Sequence, residues 1–333
     1  MSLFCIQYKI AKGVLNLAQE VIQLSTSEID KLIQYYKQQK IDRHAPGVVF
    51  AAKLPAVAIT VYKSGKVLFQ GNDAQIEASR WGATTSKDIS SAAPSPLKTK
   101  GDTLPPNFEN CSVIGSDETG TGDYFGPVTV AAVYVSSEKI QLLKELGIKD
   151  SKMLTDEKML LIADNIKAAC PHSILVLRNE KYNAVQQKGW SQGKIKALLH
   201  NKALLHVLNK ISPTVPEYIL IDQFAERDVY YRHIQNEKEI VRDNVLFSTK
   251  AEQLHIAVAA ASILARVAFL KEMDKISNEI NIEIPKGASK KVDEIAANIL
   301  LTKGEKVLKT ITKWHFANTE KAKKLASAKK NAR

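Results

Sequence analysis

The stretch Ile114-Gly115-Ser116-Asp117-Glu118-Thr119-Gly120-Thr121-Gly122-Asp123-Tyr124-Phe125-Gly126-Pro127 runs an apolar strand into two adjacent acids and then into three glycines. Two like charges about 4 Å apart repel by roughly 4 kcal/mol at an effective dielectric of about 20. Such a pair at a strand tip calls for positive compensation, and carboxylate oxygens are the hard ligands that Mg²⁺ or Mn²⁺ prefers. Successive strand residues point to opposite sides, so Asp117 and Glu118 face one ion only if the strand ends or twists between them. Gly120 and Gly122 lack a Cβ and let the backbone approach a ligand closely. They are not a dinucleotide fingerprint, because Gly126-Pro127 leads into another apolar run instead of a helix. The lysine of a nucleoside-triphosphate loop is also missing. A glycine-rich backbone surface that touches phosphate and sugar fits this pattern.

Outward from this stretch, Ser112–Ser116, Gly126–Val135, Ser173–Leu177, Tyr218–Ile221 and Val245–Phe247 read as strands. Helical spacing covers Ser137–Leu146, Asp156–Ala169 and Lys194–Leu208. Leu254–Met273 is apolar nearly all round in its first half, which predicts a central buried helix. This mixture reads as one α/β domain. Asp222 stands where an apolar strand stops, a pattern that a tight surface turn also produces. Glu252, in Lys250-Ala251-Glu252-Gln253, precedes the buried helix, where a negative charge gains about 0.3–1 kcal/mol on electrostatic grounds alone. Only a fold that unites positions 117, 222 and 252 turns these acids into one site.

Upstream, residues 83–110 are rich in Ser, Thr and Pro and carry no sustained periodicity, which reads as a linker or an irregular surface connection. Before it, Ser27–Gln39 has helical spacing with Ser25 or Ser27 as cap, and Val57–Gly71 reads as two strands joined at Lys63-Ser64-Gly65. With Gly47–Ala52 they predict a small sheet covered on one side by helices, over residues 1–82. Lys53, Lys63, Lys66 and Arg80 could lay that sheet against a duplex, or be merely solvated. The end of the chain, 319–333, reads as a basic tail, either a frayed terminus or a non-specific phosphate contact.

Composition narrows the setting. With 333 residues and 45% hydrophobic content, the chain can bury one large core and room remains for a second. A net charge of +12 favours a polyanionic partner, which an ordinary enzyme with a basic surface does not require. Cys5, Cys111 and Cys170 are far apart and lack zinc-ligand spacing, which argues for a reducing compartment. No segment reaches the roughly 20 apolar residues of a membrane span, and the start lacks a signal pattern, so the expectation is a cytoplasmic protein; a monomer is expected as well.

Gly115–Val135 resembles the opening motif of the type 2 ribonucleases H. Gly120-Thr121-Gly122, in place of their usual Gly-Arg-Gly, is similar to the ribonuclease HIII branch. Lys149-Asp150-Ser151-Lys152 resembles the family's Lys-Asp-Ser-Lys stretch. Glu252 at its spacing from Ala259-Ala260-Ala261-Ser262-Ile263-Leu264-Ala265 again resembles the HIII branch, where ribonuclease HII carries an aspartate. The amino-terminal region, with Tyr62-Lys63-Ser64-Gly65-Lys66 and Phe69-Gln70-Gly71, looks like the family's extension, itself similar to the saddle-like sheet of TATA-binding protein. Type 2 enzymes place a tyrosine near the carboxyl end against the substrate's sugar. Pro285-Lys286-Gly287-Ala288-Ser289 offers no equivalent, so the resemblance does not extend to efficient cleavage at a lone ribonucleotide.

The resemblance implies a ribonuclease H-like catalytic domain with a mixed sheet over 111–318, and an endonuclease that hydrolyses the RNA strand of RNA–DNA hybrids. It implies Asp117, Glu118, Asp222 and Glu252 around two Mg²⁺ or Mn²⁺ ions, with Asp117 bridging, Glu118 and Asp222 on one ion, and Glu252 nearer the nucleophile side. Products would carry 5′-phosphate and 3′-hydroxyl ends. Thr119, Gly120, Thr121 and Gly122 are the candidate readers of the 2′-hydroxyl. Lys149, Ser151, Lys152, Lys194, Asn201 and Lys250 are the other candidate substrate contacts. The rival expectations are a non-catalytic nucleic-acid-binding protein, which clustered acids disfavour, and another metal nuclease on the same fold.

Overall fold

The computed structural model describes residues 19–43, 47–81, 101–148 and 154–331, and the chain forms two compact units, Met1–Ala93 and Pro94–Arg333. In the first unit the elements run β1 (Gln19–Gln23), α1 (Thr26–Tyr35), β2 (Val48–Lys53), β3 (Ala58–Tyr62), β4 (Lys66–Gln70) and α2 (Ala74–Ser79). The strands form an antiparallel sheet in the order β1-β4-β3-β2. Ser25 starts α1 through a reciprocal capping box with Glu28. Alternate residues Ile59, Val61, Val67 and Phe69 turn to the helices and pack with Leu32, Tyr36, Ala74 and Ala78. Buried Glu77 is satisfied there by the Tyr36 hydroxyl, which also accepts from Trp81 Nε1 at 3.0 Å.

The second unit begins with β5 (Val113–Thr119), β6 (Val128–Val135), α3 (Ser137–Glu145), α4 (Asp156–Ala169) and β7 (His172–Leu177). It continues with α5 (Asn179–Gln187), α6 (Gln192–Ile211), β8 (Tyr218–Asp222), α7 (Arg227–Ile234) and β9 (Val245–Ser248). Four helices close it: α8 (Ile256–Ile280), α9 (Lys290–Thr302), α10 (Glu305–Ile311) and α11 (Ala317–Asn331). The sheet is mixed, in the order β7-β6-β5-β8-β9, with β5, β6 and β7 antiparallel and β5, β8 and β9 parallel. Alternation along the central strand sends Val113 to the core beneath α8 and Ile114 to the core beneath α6. A Cβ at Gly115 would lie 2.3 Å from backbone atoms of Ala257 and Val258, so glycine lets α8 cross β5 at contact distance.

Two expectations need correction. From Gly101 onward the supposed connector belongs to the second unit. Gly101 bridges Ser248, Asp102 N donates to Phe247 O at 2.8 Å, and Phe108 is buried against Tyr218 and His255. The segment 83–100 lies outside the described residues. The supposed basic tail is, through Asn331, the helix α11. Its Thr319, Ala322 and Ala326 are buried, and Asn318 ties its start to Ala288 O and Asp293. Alanines set among lysines carried too weak an apolar stripe to be read as helical.

His255 starts α8 and makes it sensitive to acid. Its Nδ1 accepts from Ala257 N at 3.1 Å and its Nε2 donates to Cys111 O at 3.2 Å, so adding a proton would remove the cap. Burial, together with the nearby Lys144 charge, pushes its imidazole down to about 4. The unfolded chain takes up this proton near pH 6.5 and the folded chain only near 4. The contribution is therefore present above 6.5 and lost as pH falls through that window, on the order of 3 kcal/mol in full. In urea titrations from pH 7 to 4.5, wild type should lose more stability than His255→Asn, and parallel losses would refute the assignment.

Candidate active site

Parallel pairing sets the site. Ser116 lies opposite Ile221 in the β5–β8 ladder, and Asp222 lies opposite Ser248 in the β8–β9 ladder, so Asp117 and Asp222 end up at the same edge of neighbouring strands. After β9, Lys250 adopts φ 58° and the chain turns through Ala251–Gln253 into α8. That turn aims Ala251 N–H at Asp222 Oδ1, 2.9 Å away, and buries Glu252 beside it. Positions 117, 222 and 252, far apart in sequence, therefore share one neighbourhood.

The electrostatics follow from the crowding. Burial, and then the charges of Asp222 and Glu118, lift the Asp117 carboxyl well above its ordinary range, against hydrogen bonds from Ser262 and the Glu118 amide. Burial also lifts Asp222, with Glu252 and Glu118 adding to it, while the Ala251 amide pulls the other way. Glu118 behaves differently. Burial works to raise its carboxyl, but His200 and Lys196 outweigh that and hold it below its ordinary value.

Geometry explains the contrast between the two neighbours. The strand does not end between them: β5 continues to Thr119, so Asp117 and Glu118 project to opposite faces. Asp117 turns to α8 and Ser262, whereas Glu118 turns to α6. Lys196 Nζ donates to Glu118 Oε1 at 2.8 Å, and His200 Nε2 donates to Oε2 at 2.9 Å. The other ring nitrogen of fully buried His200 meets Ser116 Oγ at 2.8 Å, which fixes the imidazole. Lys196 also sits 4.1 Å above the Phe224 ring.

A divalent metal suits this donor set in chemistry, since it offers four hard carboxylates, two of which burial and then their neighbours' charges already lift. As the side chains stand, however, no group of three His, Cys, Asp or Glu among the described residues converges enough to ligate an ion. To close on one, the carboxylates would have to turn and β5 to twist between Asp117 and Glu118, and Glu118 would have to share its oxygens with Lys196 and His200.

The glycine-rich loop follows directly. Thr119, Thr121 and Gly122 are at least partly exposed, while Gly120 is buried. Gly120 has φ 92°, and a Cβ there would lie 2.3 Å from Pro127 O and 2.9 Å from the Phe269 ring, so the fold itself demands glycine. A Cβ at Gly122 would meet nothing within 4 Å beyond its chain neighbours, so nothing among the described residues demands glycine there. Gln192 Nε2 donates to Thr121 O at 2.8 Å and Gly287 N donates to Asp123 Oδ1 at 2.6 Å, which ties the loop at both ends.

Of the remaining candidates, Lys250 is exposed and Lys194 lies over the Trp190 ring, 4.8 Å from its centre, at the start of α6. Asn201 is corrected: it is buried, donates to Glu239 O at 2.8 Å and accepts from Val241 N at 3.0 Å, so it fastens a loop inside the protein. Lys149, Ser151 and Lys152 lie outside the described residues. Sequence reasoning missed Lys196, His200, Gln192 and Ser262. Lys196 and His200 are four apart on α6, a spacing that could have marked them as one helix face.

Residues 114–319 match the family model described as Ribonuclease HII, and residues 19–94 match a domain of unknown function, DUF3378. A curated Ribonuclease HIII of Lysinibacillus sphaericus is 60% identical, covering 92% of this chain and 98% of that protein. The Ribonuclease HIII of Bacillus subtilis is 50% identical over 95% of this chain and its own full length. Among solved structures, Bst-RNase HIII in complex with Mn²⁺ is similar at a TM-score of 0.65 and 44% identity, covering 93% of this chain and 100% of that one.

Proposed function

Because the chain belongs to the ribonuclease HIII family and is thereby a type 2 ribonuclease H, we propose that Asp117, Glu118, Asp222 and Glu252 hold two Mg²⁺ or Mn²⁺ ions at which the RNA strand of a hybrid is hydrolysed. The observation that carries this is the meeting of Asp117 and Asp222 on adjacent parallel strands, with Glu252 delivered beside them by the turn after β9. Bound there, the metals would supply an activated water and stabilise the leaving oxygen. The chain's own part is to assemble and orient the acids. Asp117 would be the ligand shared by the ions, Glu118 and Asp222 would hold one of them, and Glu252 would stand nearer the nucleophile side. Lys196 and His200 limit the freedom of Glu118, as partners behind a metal ligand do. Products carry 5′-phosphate and 3′-hydroxyl ends. Free Cys111 and Cys170 support a reducing, cytoplasmic setting, and no helix among the described residues is long and apolar enough to cross a membrane. The enzyme is expected to act as a monomer.

Recognition of RNA requires a group that meets the 2′-hydroxyl. Thr119, Gly120, Thr121 and Gly122 are our candidates for it, with Lys194, Lys250, Lys149, Ser151 and Lys152 as candidate phosphate or sugar contacts. The two glycines divide the work. Gly120→Ala should destabilise the protein by about 1–3 kcal/mol through strain and overlap. Gly122→Ala should leave stability within about 0.5 kcal/mol and raise KM for hybrid, since its methyl would occupy the surface offered to the sugar. Urea melts and steady-state kinetics check this pair, and an unaltered KM in Gly122→Ala would remove that surface from the substrate path.

The decisive assay is one gel with RNA–DNA hybrid, duplex DNA, duplex RNA and a single ribonucleotide in DNA, each with Mg²⁺ and with Mn²⁺, followed by end-group analysis. Hybrid cleavage leaving 5′-phosphate ends is expected. Equal cleavage of duplex DNA would sink the reading.

A further inference from the structure

A lysine ammonium is strongly hydrated, and lysine is among the residues least often fully buried. Lys313 nevertheless has no exposed surface. Burial pushes its amine down to about 7, with only Asp123 pulling the other way. A cost of this kind persists where the group is fully engaged. Its Nζ donates to Asp123 O at 2.8 Å, Gly126 O at 2.7 Å and Pro127 O at 3.4 Å, and lies 5.9 Å from the centre of the Tyr182 ring on α5.

All three carbonyls belong to the chain that leaves the glycine-rich loop. That chain has two glycines at positive φ, Gly120 and Gly126, so its own backbone does little to fix its path. It is pinned from outside instead. Lys313 N donates to Tyr124 O at 2.8 Å, Gly126 N donates to Ile311 O at 3.0 Å, and Phe125 bridges Thr312. Asn179 Nδ2 adds a second donor to Gly126 O, at 2.8 Å. The carboxyl-terminal segment thus reaches back almost two hundred positions to clamp the loop that follows the acids. Lys313 contacts the loop's carbonyls and none of the four carboxylates, so it can set loop geometry without holding metal.

We propose that Lys313 is the positioning residue of the glycine-rich loop, fixing the carbonyls of Asp123, Gly126 and Pro127 so that Thr119–Gly122 presents a single backbone geometry to the RNA strand. The inference rests on the proposed reading of Thr119–Gly122 as the surface that meets that strand. A loosened loop must be ordered again at each binding event, which weakens substrate affinity and leaves the metal-dependent step alone.

The test is Lys313→Met, a similar length of chain without donors, assayed on RNA–DNA hybrid with Mn²⁺ beside wild type. KM should rise about tenfold, kcat should stay within about threefold, and the Mn²⁺-induced rise in melting temperature should equal that of wild type. An unchanged KM in a folded variant overturns the proposal. So does a joint loss of kcat and Mn²⁺ stabilisation, which would make Lys313 a support of the carboxylates. If the variant does not fold, amide exchange of the wild type decides: the Tyr124 and Gly126 amides must exchange as slowly as β5 and β6, and free-loop rates overturn the clamp. Failure of wild type to cut hybrid would sink the functional reading instead, and the exchange result would still judge the clamp.

Discussion

Asp117→Asn should lower hybrid cleavage by roughly a thousandfold or more, equal to a barrier raised by about 4 kcal/mol, and leave the fold intact. The amide keeps the shape of the carboxylate and can still meet Ser262, but it offers a metal one neutral oxygen. Stability should move in the opposite direction. The Asp117 carboxyl is lifted by burial and by the charges of Asp222 and Glu118, so folding favours its protonated form. A folded-state value above the unfolded one means that stability falls as pH rises through the interval between them. In EDTA at neutral pH the Asn variant should therefore melt higher than wild type. With Mn²⁺ added, wild type should gain more than the variant, since the ion relieves repulsion that the variant has already lost. Near-normal turnover in the variant, or an equal gain from Mn²⁺ in both proteins, would refute the role assigned to Asp117.

Which parts of this site were legible in the sequence follows from how locally each was encoded. Asp117 and Asp222 stand where apolar runs stop, and strand endings are set by neighbours in the chain. The buried helix α8 and the hairpin β3–β4 were readable for the same reason, because period and turn chemistry are local. What joins the acids is the parallel register of β5 with β8, a pairing across about a hundred positions that no local pattern states. The family resemblance supplied that link, not periodicity.

The misreadings have the same origin. Asn201 looked like a polar residue offered to substrate, but it lies on the inner side of α6 and completes backbone bonds of Val241 and Glu239. A polar residue on a helix is ambiguous until the packing direction is known. The spacing of His200 and Lys196 marks one helix face but not its role, which depends on Glu118 projecting to the α6 face while Asp117 does not. Lys313 sits in Thr312-Lys313-Trp314, where nothing nearby in sequence hints that the charge is interior.

Removal of residues 1–93 should weaken hybrid binding by about a hundredfold, near 2.7 kcal/mol, and change kcat only a few-fold. The cut is clean, because the core of the first unit draws on its own sheet and helices, Ile59, Val61, Val67, Phe69, Leu32 and Tyr36 among them. The cores about α8 and α6 draw on residues from Leu104 onward and survive the loss. All four acids, the glycine-rich loop and the Lys313 clamp also stay with the second unit, so the chemical step retains its parts. What the truncated protein loses is a second body with an exposed basic fringe that includes Lys53, Lys63 and Arg80. Tethered attachment raises the local concentration of a second contact, so its removal is felt in affinity. The affinity of the full chain should also fall more steeply with salt than that of the truncated one, because fewer phosphates are neutralised once the fringe is gone. Filter binding to hybrid in Ca²⁺ at several salt concentrations, paired with single-turnover rates in Mn²⁺, separates the two quantities. Equal affinities and equal salt slopes would show that the first unit does not hold substrate, and a collapse of the single-turnover rate at saturating enzyme would place it in the catalytic step.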